Sequence, residues 1–193
     1  DLHLSIRRQR QMCIRDSTKF IWVDNPAEGI EDLPNVLCIL YAQNEGSFLA
    51  GYIAASMSET GVVGAVGGED NDTINDFLIG YKEGAQYANP DIKVVTNYAN
   101  TYEDPAKGKE CALALNSQGA DVIFAVAGNT GNGVFAAAKE KGFYVIGVDQ
   151  DQKLSAPEYD EQIICSMKKE VGTSVYDTVK ALIEDCLLYT SDA

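Results

Sequence analysis

Acidic side chains sit in two places where they could do chemistry: Asp149 with Asp151, and Glu69 with Asp70 and Asp72. Paired carboxylates act as general acid and base, and three or more can gather a cation. The rest of the chain gives such roles little help. His3 is the single histidine, which nearly excludes Ser-His-Asp, Cys-His and multi-histidine metal chemistry. The run EDNDTIND lacks the glycine and the distal glutamate of a calcium loop and reads as a solvated turn. GVVGAVGG (61–68) lacks the GxGxxG order, and GNTGNG (128–133) has no Lys-Ser/Thr pair. Both read as tight strand-to-helix turns whose bare amides suit any polar ligand. No cofactor and no metal are expected, and acids beside helix starts are ordinarily caps.

These residues need elements to hold them. KFIWVD (19–24), NVLCILY (35–41), GVVGAVGG (61–68), IKVVTNYA (92–99), VIFAVAG (122–128), YVIGVD (144–149) and QIICSMKK (162–169) read as short apolar strands. Helical spacing marks 47–57, a segment capped by Asp72 or Thr73, one capped by Asp104 with Pro105 behind it, 131–141 and 171–185. Alternating strands and helices specify a parallel sheet covered on both faces. Ligands of such sheets collect beyond the carboxyl ends of the strands. Five strand ends here carry polar groups: Asp24, the stretch Asn97 to Glu103, Asn129 with Asn132, Asp149 with Asp151, and Lys168 with Lys169.

With 46% apolar residues over 193, the chain can bury a real core, while a charge of −14 argues against nucleic acid or an anionic membrane as the main partner. Charge is unevenly distributed. All four arginines and His3 lie within the first fifteen residues. Residues 1–17 and 186–193 have neither amphipathic period nor turn logic, and both are expected to be non-native segments outside the fold. No secretory leader is legible before Cys13, so compartment cannot be read from the start of the chain. Cys38, Cys111 and Cys165 are widely spaced in apolar contexts and are expected to be buried thiols.

The stretches NEGSFLAGYIAASMSETGVVGAVGG, FLIGYKEGAQYANPDIKVVTNYANTYEDPAKGKECALALNSQGADVIFAVAGNTGNGVF and AAKEKGFYVIGVDQDQ resemble the basic membrane protein family. These are substrate-binding lipoproteins of ABC transporters that include the purine nucleoside receptors. The resemblance runs from about Lys19 to Asp185. It implies an α/β type I periplasmic-binding-protein fold, parallel sheets with helices on both faces, in two lobes that close over ligand. The fold is expected to be incomplete here: 18–60 a remnant of lobe one, 61–185 lobe two.

Matching positions imply a ligand-binding set of Asp24, Tyr102, Gly128, Asn129, Asp149 and Lys169. Asp24 would accept hydrogen bonds from the ligand, and Tyr102 would stack on its base. The alternative for Tyr102 is a surface tyrosine before a helix cap. Gly128 and Asn129 would offer backbone and amide groups. Asp149 would fix ribose hydroxyls, since a carboxylate accepts from two neighbours at once. Lys169 would pair with Asp149 or donate to the ligand, with Lys168 turned to the other face. The family also often has basic residues after the GG turn, where this chain has EDNDTIND.

The resemblance therefore implies a non-enzymatic, extracytoplasmic receptor, lipid-anchored or periplasmic and monomeric. It would bind a nucleoside and deliver it to ABC permease subunits. The alternatives are the ligand-sensing domain of a transcription regulator of the same fold, marked by an upstream helix-turn-helix, or a sugar receptor.

Overall fold

The computed structural model describes residues 18–24, 29, 33 and 35–184. The expected terminal segments, with His3, Cys13, Cys186 and the arginines, lie outside the described residues. Two compact units emerge. One takes the residues up to Tyr41 and those from Glu170, and the other is Ala42–Lys169.

In the first unit, β1 (Phe20–Val23) and β2 (Val36–Ile39) pair in parallel, with Phe20 opposite Val36 and Val23 opposite Ile39. The unit also carries a helix over Val171–Ile183. The sequence groups 171–185 with the larger lobe and 47–57 with the smaller one; by compactness Val171–Ile183 falls in the first unit and Gln43–Met57 in the second. Periodicity finds a helix but not its partner.

The second unit runs α1 (Gln43–Met57), β3 (Val62–Gly67), α2 (Asp72–Ala88), β4 (Lys93–Tyr98), α3 (Pro105–Asn116), β5 (Val122–Val126), α4 (Gly131–Lys141), β6 (Tyr144–Asp149), a short turn of helix α5 (Gln152–Ser155) and β7 (Ile163–Lys168). Its five strands are all parallel, in the order β4-β3-β5-β6-β7. The chain goes from β3 outward to β4, then crosses back past β3 to β5. That reversal opens a crevice between the ends of β3 and β5.

Every residue of β5 is buried, so its run VIFAV needs no polar alternation. Phe124 faces a core of Ala54, Phe77, Leu78, Tyr81 and Ile146, beneath α1 and α2. Ile123 faces the opposite core of Ala112, Leu115, Val134 and Phe135, beneath α3 and α4. The helices on each face approach backbone to backbone. A Cβ added at Gly84 of α2 would run into the Phe48 carbonyl of α1. No described helix is long and apolar enough to cross a membrane.

Candidate functional site

The carboxyl ends of the five strands gather polar side chains, and each is held by local backbone chemistry. Asp104 caps α3 as the sequence suggests, accepting from Ala106 N at 3.0 Å and Lys107 N at 3.3 Å. The cap of α2 differs from the expected Asp72 or Thr73. Asn71 takes that place, its Oδ1 accepting from Ile74 N at 3.0 Å. An extended backbone at Asn71 sets the amide oxygen over the first free N–H groups of the helix.

Tyr102 sits above the crevice between β3 and β5. Its ring lies against the backbone of Gly68, where a Cβ would collide with it, and its Cβ lies 3.5 Å from the Cβ position at Gly128. Its hydroxyl accepts from Asn71 Nδ2 at 2.9 Å. Its carbonyl accepts from Thr130 N at 3.0 Å. The ring is half-buried and packs against the α1–α2 core.

Thr130 was not legible as a site residue. Fully buried, its hydroxyl donates to the Thr101 carbonyl at 3.1 Å and accepts from Asp104 N at 3.0 Å. Three bonds from one residue thus tie the loop after β4 to the turn after β5. Gly128 in that turn has φ +53, which glycine tolerates at no steric cost. Asn129 is exposed, and its Oδ1 accepts from Asn132 Nδ2 at 2.8 Å.

Asp149 ends β6 with φ +66, a left-handed backbone that few non-glycine residues adopt. Gln152 supports the turn: its Oε1 accepts from Val148 N at 2.9 Å, while its N–H donates to Ser166 Oγ at 3.1 Å. Asp151 caps the short helix, accepting from Lys153 N at 3.2 Å. Lys168 is exposed, whereas the ammonium of Lys169 is buried, 4.9 Å from the Phe77 ring centroid and 4.0 Å from Asp149 Oδ1. Lys168 is the last residue of β7 and Lys169 follows it.

The acidic turn after β3 is exposed over 69–72, as a solvated turn should be, and its Asp70 and Asn71 side chains are hydrogen-bonded. Asp70 Oδ1 accepts from Asn75 Nδ2 at 3.0 Å, and Asn75 Oδ1 accepts from Tyr98 Oη at 2.6 Å. Desolvation, aided by Asp70, raises the Tyr98 phenol above its ordinary pKa, so the phenol stays a donor.

The second unit thus gathers Tyr102, Gly128, Asn129, Asp149 and Lys169 at the carboxyl ends of one sheet. Asp24 belongs to the first unit. There it follows β1 with φ +61, and its N–H donates to the Ile39 carbonyl at 2.9 Å. Among the described residues, no group of three or more His, Cys, Asp or Glu side chains could hold a metal ion. A hollow of about 270 Å³ between α1 and α2, lined by Asn44, Glu45, Phe48, Ile79, Gly80 and Glu83, includes none of the strand-end residues above. Of the thiols expected to be buried, Cys111 is, and Cys38 and Cys165 are half-buried; all three are free.

A family model described as ABC transporter substrate-binding protein PnrA-like matches residues 5–192, a span that takes in most of both ends set aside above. Basic membrane protein D of Borreliella burgdorferi is 40% identical over 174 residues, covering 89% of this chain and 50% of that protein. Basic membrane protein B of the same species is 41% identical over 144 residues, covering 74% of this chain and 41% of that protein. The crystal structure of an ABC transporter solute-binding protein from Aeropyrum pernix K1 is 32% identical, with a TM-score of 0.79, over 88% of this chain and 49% of that one. The chain spans about half the length of the curated relatives it matches. It belongs to the basic membrane protein family of ABC transporter substrate-binding proteins, a family of binding proteins rather than of enzymes.

Proposed function

We propose that the protein binds a nucleoside outside the cytoplasm and hands it to an ABC permease without chemical turnover. The observation that carries this reading is the pairing of a clamped aromatic ring with a backbone-presented carboxylate on one rim. Tyr102 lies over the β3–β5 crevice. Asp149 ends β6, the strand next to β5, and neighbouring strands lie ~4.8 Å apart. A planar base on the ring and ribose hydroxyls on the carboxylate suit that spacing. Lys169 sets a cation beside Asp149, while Gly128 and Asn129 add backbone and amide groups between the two positions.

Titration calorimetry of the whole protein with a purine nucleoside and with free ribose tests the reading. Nucleoside is expected to bind far more tightly than ribose and to be recovered intact. Equal affinity for the two would replace the nucleoside receptor with a sugar receptor.

A further inference from the structure

We propose that Asn71 is a positioning residue that fixes the attitude of the Tyr102 ring by way of the tyrosine hydroxyl. The inference rests on the reading of Tyr102 as the base platform. Asn71 uses both ends of its amide. The oxygen accepts from Ile74 N at 3.0 Å and so belongs to α2, while the nitrogen donates to Tyr102 Oη at 2.9 Å. No other side chain of that size offers an acceptor and a donor in one rigid plane. The Tyr102 backbone is already held by Thr130, and one part of its ring rests on Gly68. Rotation about the tyrosine side-chain bonds is the freedom that remains, and the bond at the far end of the ring restricts it. A stacking surface fixed before the ligand arrives costs less ordering on binding. The amide thereby links the acidic turn after β3 to the ligand platform.

The test uses the whole protein as parent, Asn71→Ser, Tyr102→Phe and the double variant. Serine caps a helix about as well as asparagine, so α2 keeps its start while Tyr102 loses its donor. Asn71→Ser and Tyr102→Phe should each weaken binding of a purine nucleoside about three- to tenfold, the worth of one ordinary hydrogen bond. The double variant should be no weaker than either single one, because both remove the same contact. Ribose affinity and melting temperature should stay at parental values. Losses that multiply in the double variant, or an Asn71→Ser protein that binds nucleoside like the parent, would overturn the role of Asn71 alone. A parent that binds no nucleoside would overturn the platform reading beneath it, and this role with it.

Discussion

Lys169 places its ammonium 4.0 Å from the Asp149 carboxylate while its backbone N–H donates to the Asp149 carbonyl at 2.9 Å. Burial differs sharply between the two: the lysine side chain is 5% exposed and the aspartate 54%. The lysine side chain is thus buried beneath the rim while the aspartate side chain is exposed at it. Asp149→Asn keeps the shape, and asparagine adopts a left-handed backbone readily, so the turn should survive. One charged acceptor becomes a donor, however. A hydrogen bond to a charged group contributes about 1.5–3 kcal/mol, so nucleoside affinity should fall about ten- to hundredfold by calorimetry. Parental affinity in this variant would remove Asp149 from the site.

The seat of Tyr102 can be tested without touching the ring. Gly68→Ala puts a methyl group where the ring now rests and must displace it. Stacking a base on an aromatic side chain contributes about 1–3 kcal/mol. Both Gly68→Ala and Tyr102→Ala should therefore weaken nucleoside binding by about tenfold or more while sparing ribose. Competition against a labelled nucleoside reads the difference, and a Gly68→Ala protein with parental affinity would rule the ring out as platform.

Much of the second unit was legible because its signals are local. Pro105 behind Asp104 marks a helix start, and the apolar run from Val122 to Val126 marks a buried strand; the structure has both. Helix α1 begins at Gln43, earlier than the expected Ser47, because its cap position is Ala42, which makes no side-chain cap bond and leaves no signature. The supports of the site were illegible for a different reason. Asn71 meets Tyr102 across 31 positions, and Thr130 reaches Thr101 across 29, so neither contact follows from any local pattern. Asp24 and Asp149 both adopt left-handed backbones, which no local pattern in the sequence marks.

The close approach of α1 and α2 gives a stability prediction whose sign opposes propensity. In a free helix, replacing glycine with alanine stabilises by about 0.5–1 kcal/mol. At Gly84 the new methyl group would enter the Phe48 carbonyl of α1, and backbone cannot rotate away as a side chain can. Overpacking of this kind costs about 1–3 kcal/mol. Gly84→Ala should therefore lower the denaturant midpoint. A rise would mean that the two helices separate at little cost.

Tyr81 offers the opposite case, a polar atom whose removal should help. Its ring is fully buried and stacks on Phe124 with centroids 5.3 Å apart, and its hydroxyl has no hydrogen-bond partner among the described residues. Burial, with Asp121 and Cys165 adding to it, pushes the phenol far above its ordinary pKa of 10.0. A buried hydroxyl without a partner costs about 1–3 kcal/mol, so Tyr81→Phe should stabilise the fold by about 1 kcal/mol at neutral pH. The pH dependence follows from the same shift. Folded, the phenol holds its proton; unfolded, it ionises near 10. Stability from this group is therefore complete below that pH and is lost as pH rises above it, by about 1.4 kcal/mol per pH unit. Denaturant unfolding followed from pH 8 to about 11 should show the parent losing stability more steeply than Tyr81→Phe. Parallel curves for the two proteins would mean that Tyr81 reaches water in the folded state.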